Sequence, residues 1–268
     1  MVRLGRWISD HAVMAVGLAV LAYMFVPIVV VILMSFNQPV SRAAYTFDAF
    51  TLANWQNPCG PEGLCSSLVT SVQIGLLATV GATLLGTLMA FALVRQRFRG
   101  RSLANVLIFL PMASPEVVMG ASLLALFVAV GFGGLLGFWT ILIAHIMFCL
   151  SFVVVTVRAR LQGLDSRLEQ AAMDLYATES QAFWKVTFPL VFPGILSAAL
   201  LAFALSFDDF IVTNFTSGQT VTFPMFVWGA AQRGIPMQIN VIGTAMFLVA
   251  VLVVLVGELS RRRRERVR

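Results

Sequence analysis

Three carboxylates fall within or beside strongly apolar stretches of the chain: Glu116, Asp208 and Asp209. A charge at the centre of a bilayer costs about 2.5–3.5 kcal/mol even on insertion scales, so such acids face a protein interior or a water-filled cavity. No Lys or Arg lies in the same stretches to neutralise them. The balancing group is then water, backbone, a partner chain or a cationic solute, and paired carboxylates suit a polyammonium ion. A structural use competes at each position. Glu116 follows Pro115, where interrupted backbone bonding leaves polar groups to satisfy. Asp208 and Asp209 are neighbours, and on one helix they would point about 100° apart, so both cannot line one narrow path. His145 reads as a packed, hydrogen-bonded residue ahead of a proton relay.

Other chemistry is missing. There is no G-x-x-x-x-G-K-[ST] phosphate loop, so the chain has no such device for ATP. The two His and three Cys are scattered without metal-ligand spacing. No Ser/His/Asp or Cys/His set gathers in one plausible site, so nothing argues for an enzyme acting alone. Cys59 and Cys65 stand with five residues between them in a polar segment, where a disulfide and two separate thiols are both open readings. Cys149 reads as an inert core thiol.

The elements that must position these residues are membrane helices. Of the 268 residues, 59% are hydrophobic and only 11% charged. Soluble domains run about 45–50% apolar and about 25% charged. A disordered chain, a coiled coil, a disulfide scaffold and a soluble enzyme are set aside on that ground. A spanning helix needs about 20 apolar residues. Six stretches qualify, at roughly Ala12–Met34, Leu68–Val94, Leu103–Val130, Leu135–Val157, Phe188–Thr213 and Ile235–Leu259. The third contains Pro111 and Pro115 and is expected to span as one element. The first is longer than a signal-peptide core and reads as an uncleaved anchor.

With six spans, sixteen of the 18 basic residues fall on one side, at the N-terminus, residues 95–101, residues 158–185 and the tail. The positive-inside rule then puts both termini in the cytoplasm. The net charge of +6 is thus an orientation signal and not a nucleic-acid footprint. The expectation is an all-α integral membrane protein of six transmembrane helices. It forms a single domain over residues 1–268, with an outer loop at 35–67, a cytoplasmic loop at 158–187 and a basic tail at 260–268. In the second span Ala78, Ala82, Gly86 and Ala90 recur every four residues, a smooth face for packing within the protomer or for a dimer seam.

The 158–187 loop carries its own pattern. Leu164, Leu168, Ala171 or Ala172, and Leu175 recur at helical spacing. Ser166 with Glu169, and Thr178 with Gln181, have capping-box spacing, so two short helices are expected. Phe183 and Trp184 add apolar surface beside Lys185. Such helices either lie on the membrane and their own protein or dock into another.

This stretch resembles the cytoplasmic "EAA" loop of ABC-importer permeases, whose pattern is E-A-A, three residues, G, nine residues, I-x-L-P. Gln170, Ala171 and Ala172 stand at its first three positions, Tyr176 at the glycine, and Val186, Phe188 and Pro189 at I, L and P. Glu169 stands one residue before the missing acid. At the glycine position a tyrosine must either keep a negative φ or reshape the turn. SFDDFIVTNFTSG (206–218), LPMASPEVVMGASLL (110–124) and RGIPMQINVIGT (233–244) are similar to segments of the spermidine/putrescine (PotC-type) permease family, within the MetI-like superfamily.

The resemblance implies a type I importer permease (MetI-like fold) of the bacterial inner membrane, with no cofactor of its own. ATP and Mg would be bound by a separate ATPase dimer. A second, similar permease would complete the path, and an outside binding protein would deliver the solute. ATP binding would close the ATPases, draw the loops together and switch the cavity between its two openings. Glu169, Gln170, Ala171, Ala172, Tyr176, Phe183, Trp184 and Pro189 would form the coupling contact. Asp208, Asp209 and Glu116 would be the candidates for a polyamine path. The alternatives are a permease for another small solute and an ion-coupled secondary transporter using those three acids, which predicts inverted repeats or a broken helix.

Overall fold

The computed structural model describes residues 2–41, 46–165 and 167–266, without side-chain detail at 2–10, 258 and 260–266. Among the described residues, regular structure is helical apart from an isolated bridge between Asn37 and Phe50. The helices are α1 (Val2–Ser35), α2 (Ala53–Gln56), α3 (Leu64–Arg95), α4 (Arg101–Ala113), α5 (Glu116–Ala129) and α6 (Phe138–Gln162). They continue with α7 (Arg167–Asp174), α8 (Glu179–Ala182), α9 (Phe188–Asp208), α10 (Ile211–Thr216), α11 (Phe223–Arg233) and α12 (Met237–Arg266).

Among the described residues, five helical stretches are long and apolar enough to cross a membrane: His11–Ser35, Leu64–Arg95, Phe138–Gln162, Glu179–Asp208 and Met237–Gly257. The expected third span is not one element. Helices α4 and α5 meet at 110° and make a sixth span only if the bent pair counts as one. The break falls where the chemistry of proline puts it. Pro115 has no N–H to donate, and its ring drives the preceding residue out of the helical region. Ser114 is accordingly extended, at φ −80° and ψ 138°. Pro111, one turn earlier, is carried inside α4 without ending it.

The fifth span also differs from expectation. It stops at Asp208, and Asp209 is extended at φ −65° and ψ 123°. Thr213, expected in the same span, sits in the separate helix α10.

The chain divides into two compact units, Met1–Leu64 with Val227–Arg268, and Cys65–Phe226. In the first, α1 packs along α12, and α2 also contacts α12. The segment after α1, in the expected outer loop, is organised around the buried Asn37. Its Nδ2 donates to the Thr46 carbonyl at 2.8 Å, and its Oδ1 accepts from the Asp48 N–H at 2.9 Å. Its carbonyl accepts from Asn54 Nδ2 at 2.8 Å. Phe36 stacks between Phe50 and Trp55, with ring centroids 5.6 and 5.5 Å away. Cys59 and Cys65 are disulfide-bonded, and Cys149 is a buried free thiol.

In the second unit, α6 is the central element and packs against α4, α9 and α10. Its buried residues Ala144, Phe148, Val153 and Val157 form one cluster with Ala82 and Ala90 of α3 and Ala198 and Ala202 of α9. The small-residue row of α3 is spent here. A Cβ on Gly86 would lie 2.7 Å from Val153 Cγ1, and Ala78, Ala82 and Ala90 are fully buried within the chain. Close backbone approach replaces the hydrophobic drive that lipid cannot supply.

Candidate functional site

Two places in the second unit gather polar chemistry: the loop between α6 and α9, and the junction between α9 and α10.

The loop folds into two short helices. The Asp165 carboxylate accepts from the Arg167 N–H at 2.9 Å and so starts α7. Ser166, expected as the cap, lies outside the described residues. Glu169 lies in the first turn of α7. Its carboxylate accepts from the Thr187 hydroxyl and pairs with Arg95 at the end of α3. Neither partner had a distinguishing signal in the sequence. Arg95 reads there as one topology charge among four, and Thr187 as the unspecified residue of the pattern.

Helix α7 ends in a Schellman motif. The Ala177 N–H reaches the Ala172 carbonyl at 3.1 Å, and the Tyr176 N–H reaches the Met173 carbonyl at 2.9 Å. That geometry needs a left-handed residue, and Tyr176 supplies it at φ 63°. Neither expected accommodation occurs: the turn keeps the conformation natural to glycine, with a tyrosine in it. Thr178 and Gln181 then form a capping box, at 3.3 Å for Gln181 N–H to Thr178 Oγ1 and 3.1 Å for Thr178 N–H to Gln181 Oε1. Helix α8 runs through a π turn at Phe183–Thr187 into α9.

The side chains of this loop divide by direction. Phe183 is half-buried, edge-on to Phe91 with centroids 5.5 Å apart. Ala172 is half-buried, while Gln170, Ala171 and Pro189 are exposed. Leu168, Met173, Leu175, Tyr176 and Trp184 are large apolar side chains left exposed. A cavity of about 360 Å³ lies at the root of the loop, bounded by Arg95, Leu161, Leu164, Glu169, Thr187 and Leu190 among others.

At the α9–α10 junction the two aspartates separate. Asp208 ends α9 and is exposed, whereas Asp209 is buried. One Asp209 oxygen accepts from the Thr213 N–H and from the Thr213 hydroxyl, both at 2.8 Å. The other faces the Val212 N–H at 3.4 Å. The carboxylate thereby caps the start of α10, and an aspartate able to bond nearby N–H groups is the reason α9 ends here without Gly or Pro. His145 of α6 completes the group. Its Nε2 lies 2.9 Å from Thr213 Oγ1 and 3.3 Å from Asp209 Oδ2, and its Nδ1 lies 2.7 Å from Ser206 Oγ. His145, Ser206, Asp209 and Thr213 are all buried. At the far end of α10 the Thr140 hydroxyl donates to the Thr216 carbonyl at 2.7 Å, so α6 holds this short helix at both ends.

Glu116 is exposed at the first position of α5, beside the bend. The three expected acids are therefore not gathered into one site by the described contacts. Among the described residues no group of three or more His, Cys, Asp or Glu is arranged to hold a metal ion.

Comparison with known proteins agrees with this architecture. A family model described as "Binding-protein-dependent transport system inner membrane component" matches residues 82–265. The spermidine/putrescine transport system permease protein PotC of Haemophilus influenzae is 36% identical over 245 residues, covering 91% of this chain and 94% of that protein. PotC of Escherichia coli K12 is also 36% identical over 245 residues, covering 91% of each chain. The putrescine transport system permease protein PotI of the same organism is 35% identical over 228 residues, covering 83% of this chain and 80% of its own. Among solved structures, a bacterial ABC transporter for import of the acidic polysaccharide alginate aligns with a TM-score of 0.65. It covers 94% of this chain and 95% of its own, at 18% identity, which speaks to the fold alone. The all-helical, membrane-spanning chain belongs to the family of inner-membrane components of binding-protein-dependent transport systems.

Proposed function

We propose that this chain is the transmembrane permease subunit of an ATP-driven importer that moves polyamines, spermidine or putrescine, into the cytoplasm. The observation that carries the substrate class is the 36% identity to spermidine/putrescine permeases across 91% of the chain. The chain itself performs no catalysis: ATP and Mg belong to a separate ATPase dimer. A second, homologous permease forms a heterodimer with it around the path, and an extracytoplasmic binding protein hands over the solute. Both termini and the loop between α6 and α9 face the cytoplasm, on the side where sixteen of the 18 basic residues fall.

In this reading the loop is the ATPase-docking element. Its exposed Leu168, Met173, Leu175 and Tyr176 side chains lie beyond the ends of the two flanking spans, where lipid does not cover them. Asp208 and Glu116, whose side chains are exposed, are better placed to meet a cation than Asp209, whose oxygens are taken by Thr213, Val212 and His145. The bend between α4 and α5 is a feature also expected of an ion-coupled secondary transporter, but the family match favours the ATP-driven reading.

The test is uptake of radiolabelled spermidine and putrescine by cells with and without this gene. Loss of uptake on deletion, restored by the gene on a plasmid, is the expected result. Polyamine uptake unchanged by the deletion would overturn the substrate class. An ATPase that fails to copurify would overturn the ATP-driven reading.

A further inference from the structure

We propose that the Tyr176 side chain is an aromatic anchor that fixes this chain to its ATPase subunit. The proposal rests on the reading of the α6–α9 loop as the ATPase-docking element.

The turn carries a cost that the chain does not recover internally. Tyr176 is the one non-glycine residue at positive φ among the described residues. There the Cβ of an L-residue crowds the following carbonyl oxygen, a strain that glycine avoids. The backbone hydrogen bonds of the turn do not repay a tyrosine in particular, because glycine would make the same two bonds. The side chain does not repay it either: Tyr176 is 97% exposed, so its ring packs against almost nothing in this chain. A bulky residue kept in a costly conformation with its ring in solvent points to a contact made with another molecule.

The surroundings say what kind of molecule. Leu175 next to it is 81% exposed, and Leu168 and Met173 of α7 are exposed as well. Together they offer an apolar face that suits a protein cleft, and tyrosine is among the residue types enriched at the anchors of such contacts. A lipid surface fits poorly. Between Leu164 and Thr187 the chain carries four acidic residues against two basic ones. Cytoplasmic headgroups are anionic and attract segments of the opposite balance. The occupant with the right chemistry is a soluble subunit with an apolar-lined cleft, and the ATPase is the soluble partner this chain lacks.

The ring and the backbone strain can be tested apart. Tyr176→Gly relieves the strain and removes the ring. Tyr176→Asn keeps a residue that tolerates the left-handed region and removes the ring. Tyr176→Phe keeps the ring. Each full-length variant is assembled with its partner permease in lipid nanodiscs, and the purified ATPase subunit of its own system is titrated in. Tyr176→Gly and Tyr176→Asn are each expected to weaken ATPase binding at least about tenfold, and Tyr176→Phe to stay within about threefold of the parent. Ala172→Arg serves as the control for the loop itself. If Ala172→Arg loses the ATPase while Tyr176→Asn binds like the parent, the anchor proposal is overturned and the docking loop stands. If Ala172→Arg also binds like the parent, the docking reading and the anchor fall together. A folding explanation is answered by Tyr176→Gly, because glycine suits this backbone and should leave the loop at least as stable.

Discussion

Asp209 offers a sharp test of the structure, because asparagine and alanine remove different things. Alanine deletes the acceptor of the Thr213 N–H at 2.8 Å and leaves that buried donor unpaired. The Thr213 hydroxyl can still turn to the Asp209 backbone carbonyl, 3.2 Å away, and can still face His145 Nε2 at 2.9 Å. The loss is then chiefly one charge-assisted cap and one orphaned N–H, on the order of 3 kcal/mol. Asparagine can keep its carbonyl oxygen on Thr213, but its amide nitrogen is a donor and gives up the acceptance from the Val212 N–H, a long contact at 3.4 Å. Its cost is the charge and that weak contact, on the order of 1 kcal/mol. Detergent-solubilised full-length chain would be heated and the surviving monodisperse fraction followed by size exclusion, as a rate because membrane proteins seldom refold on cooling. The expected order of decay is Asp209→Ala fastest, then Asp209→Asn, then the parent. A parallel measurement separates structure from transport: Asp208→Asn, at the exposed acid, should raise the KM for spermidine with little change in thermal decay. Asp209→Asn decaying as fast as Asp209→Ala would refute the capping argument. Asp209→Asn raising KM as much as Asp208→Asn, at parental stability, would refute the division of roles.

Two further substitutions probe the packing and the turn. Gly86→Leu should drive a side chain into Val153 and cost about 1–3 kcal/mol of packing strain, whereas Gly17→Leu, with nothing within 4 Å of its added Cβ, should be silent in the same heating assay. Thr178→Ala should remove the cap of α8, at about 1 kcal/mol, and speed amide hydrogen exchange across Glu179–Ala182 without altering α7.

What could be read from residues alone followed the strength of local rules. The long apolar runs of α1, α3, α6 and α12 leave no alternative to helices. The Thr178–Gln181 box forms because both partners lie one turn apart and need nothing else. Pro115 was visible, but its consequence depends on whether packing holds the flanks of the break in line. Here Gly120 lets α5 sit against α10, where a Cβ would come within 2.6 Å of Phe215, and the chain bends. The end of α9 at Asp208 had no breaker residue to announce it. It is set by His145, some sixty positions away, and by a carboxylate that prefers the N–H groups of the next helix. Tyr176 is the departure from the loop pattern, yet its φ does not follow from the sequence, because a Schellman turn can impose positive φ on a residue that resists it.

The same distinction bears on Glu169. The loop pattern places its acid at position 170, where this chain has Gln170, and Glu169 is one of the residues expected at the ATPase contact. Its carboxylate pairs with Arg95 at the foot of α3 and accepts from Thr187, beside the start of α9. Helix α8 and α9 form one continuous apolar helix through the π turn. A displacement of α7 would therefore be carried to two membrane helices through one side chain. Removing that link should separate docking from transport. Arg95→Met and Glu169→Gln are each expected to keep the ATPase bound within about threefold. Each should lower ATP-dependent spermidine uptake by about tenfold or more, the size of a charge-assisted bond lost from a moving part. The double variant should be little worse than either single one, since the pair acts as a unit. Additive losses in the double variant, or loss of ATPase binding in step with uptake, would mean that Glu169 touches the ATPase itself and is not the strut behind the docking surface.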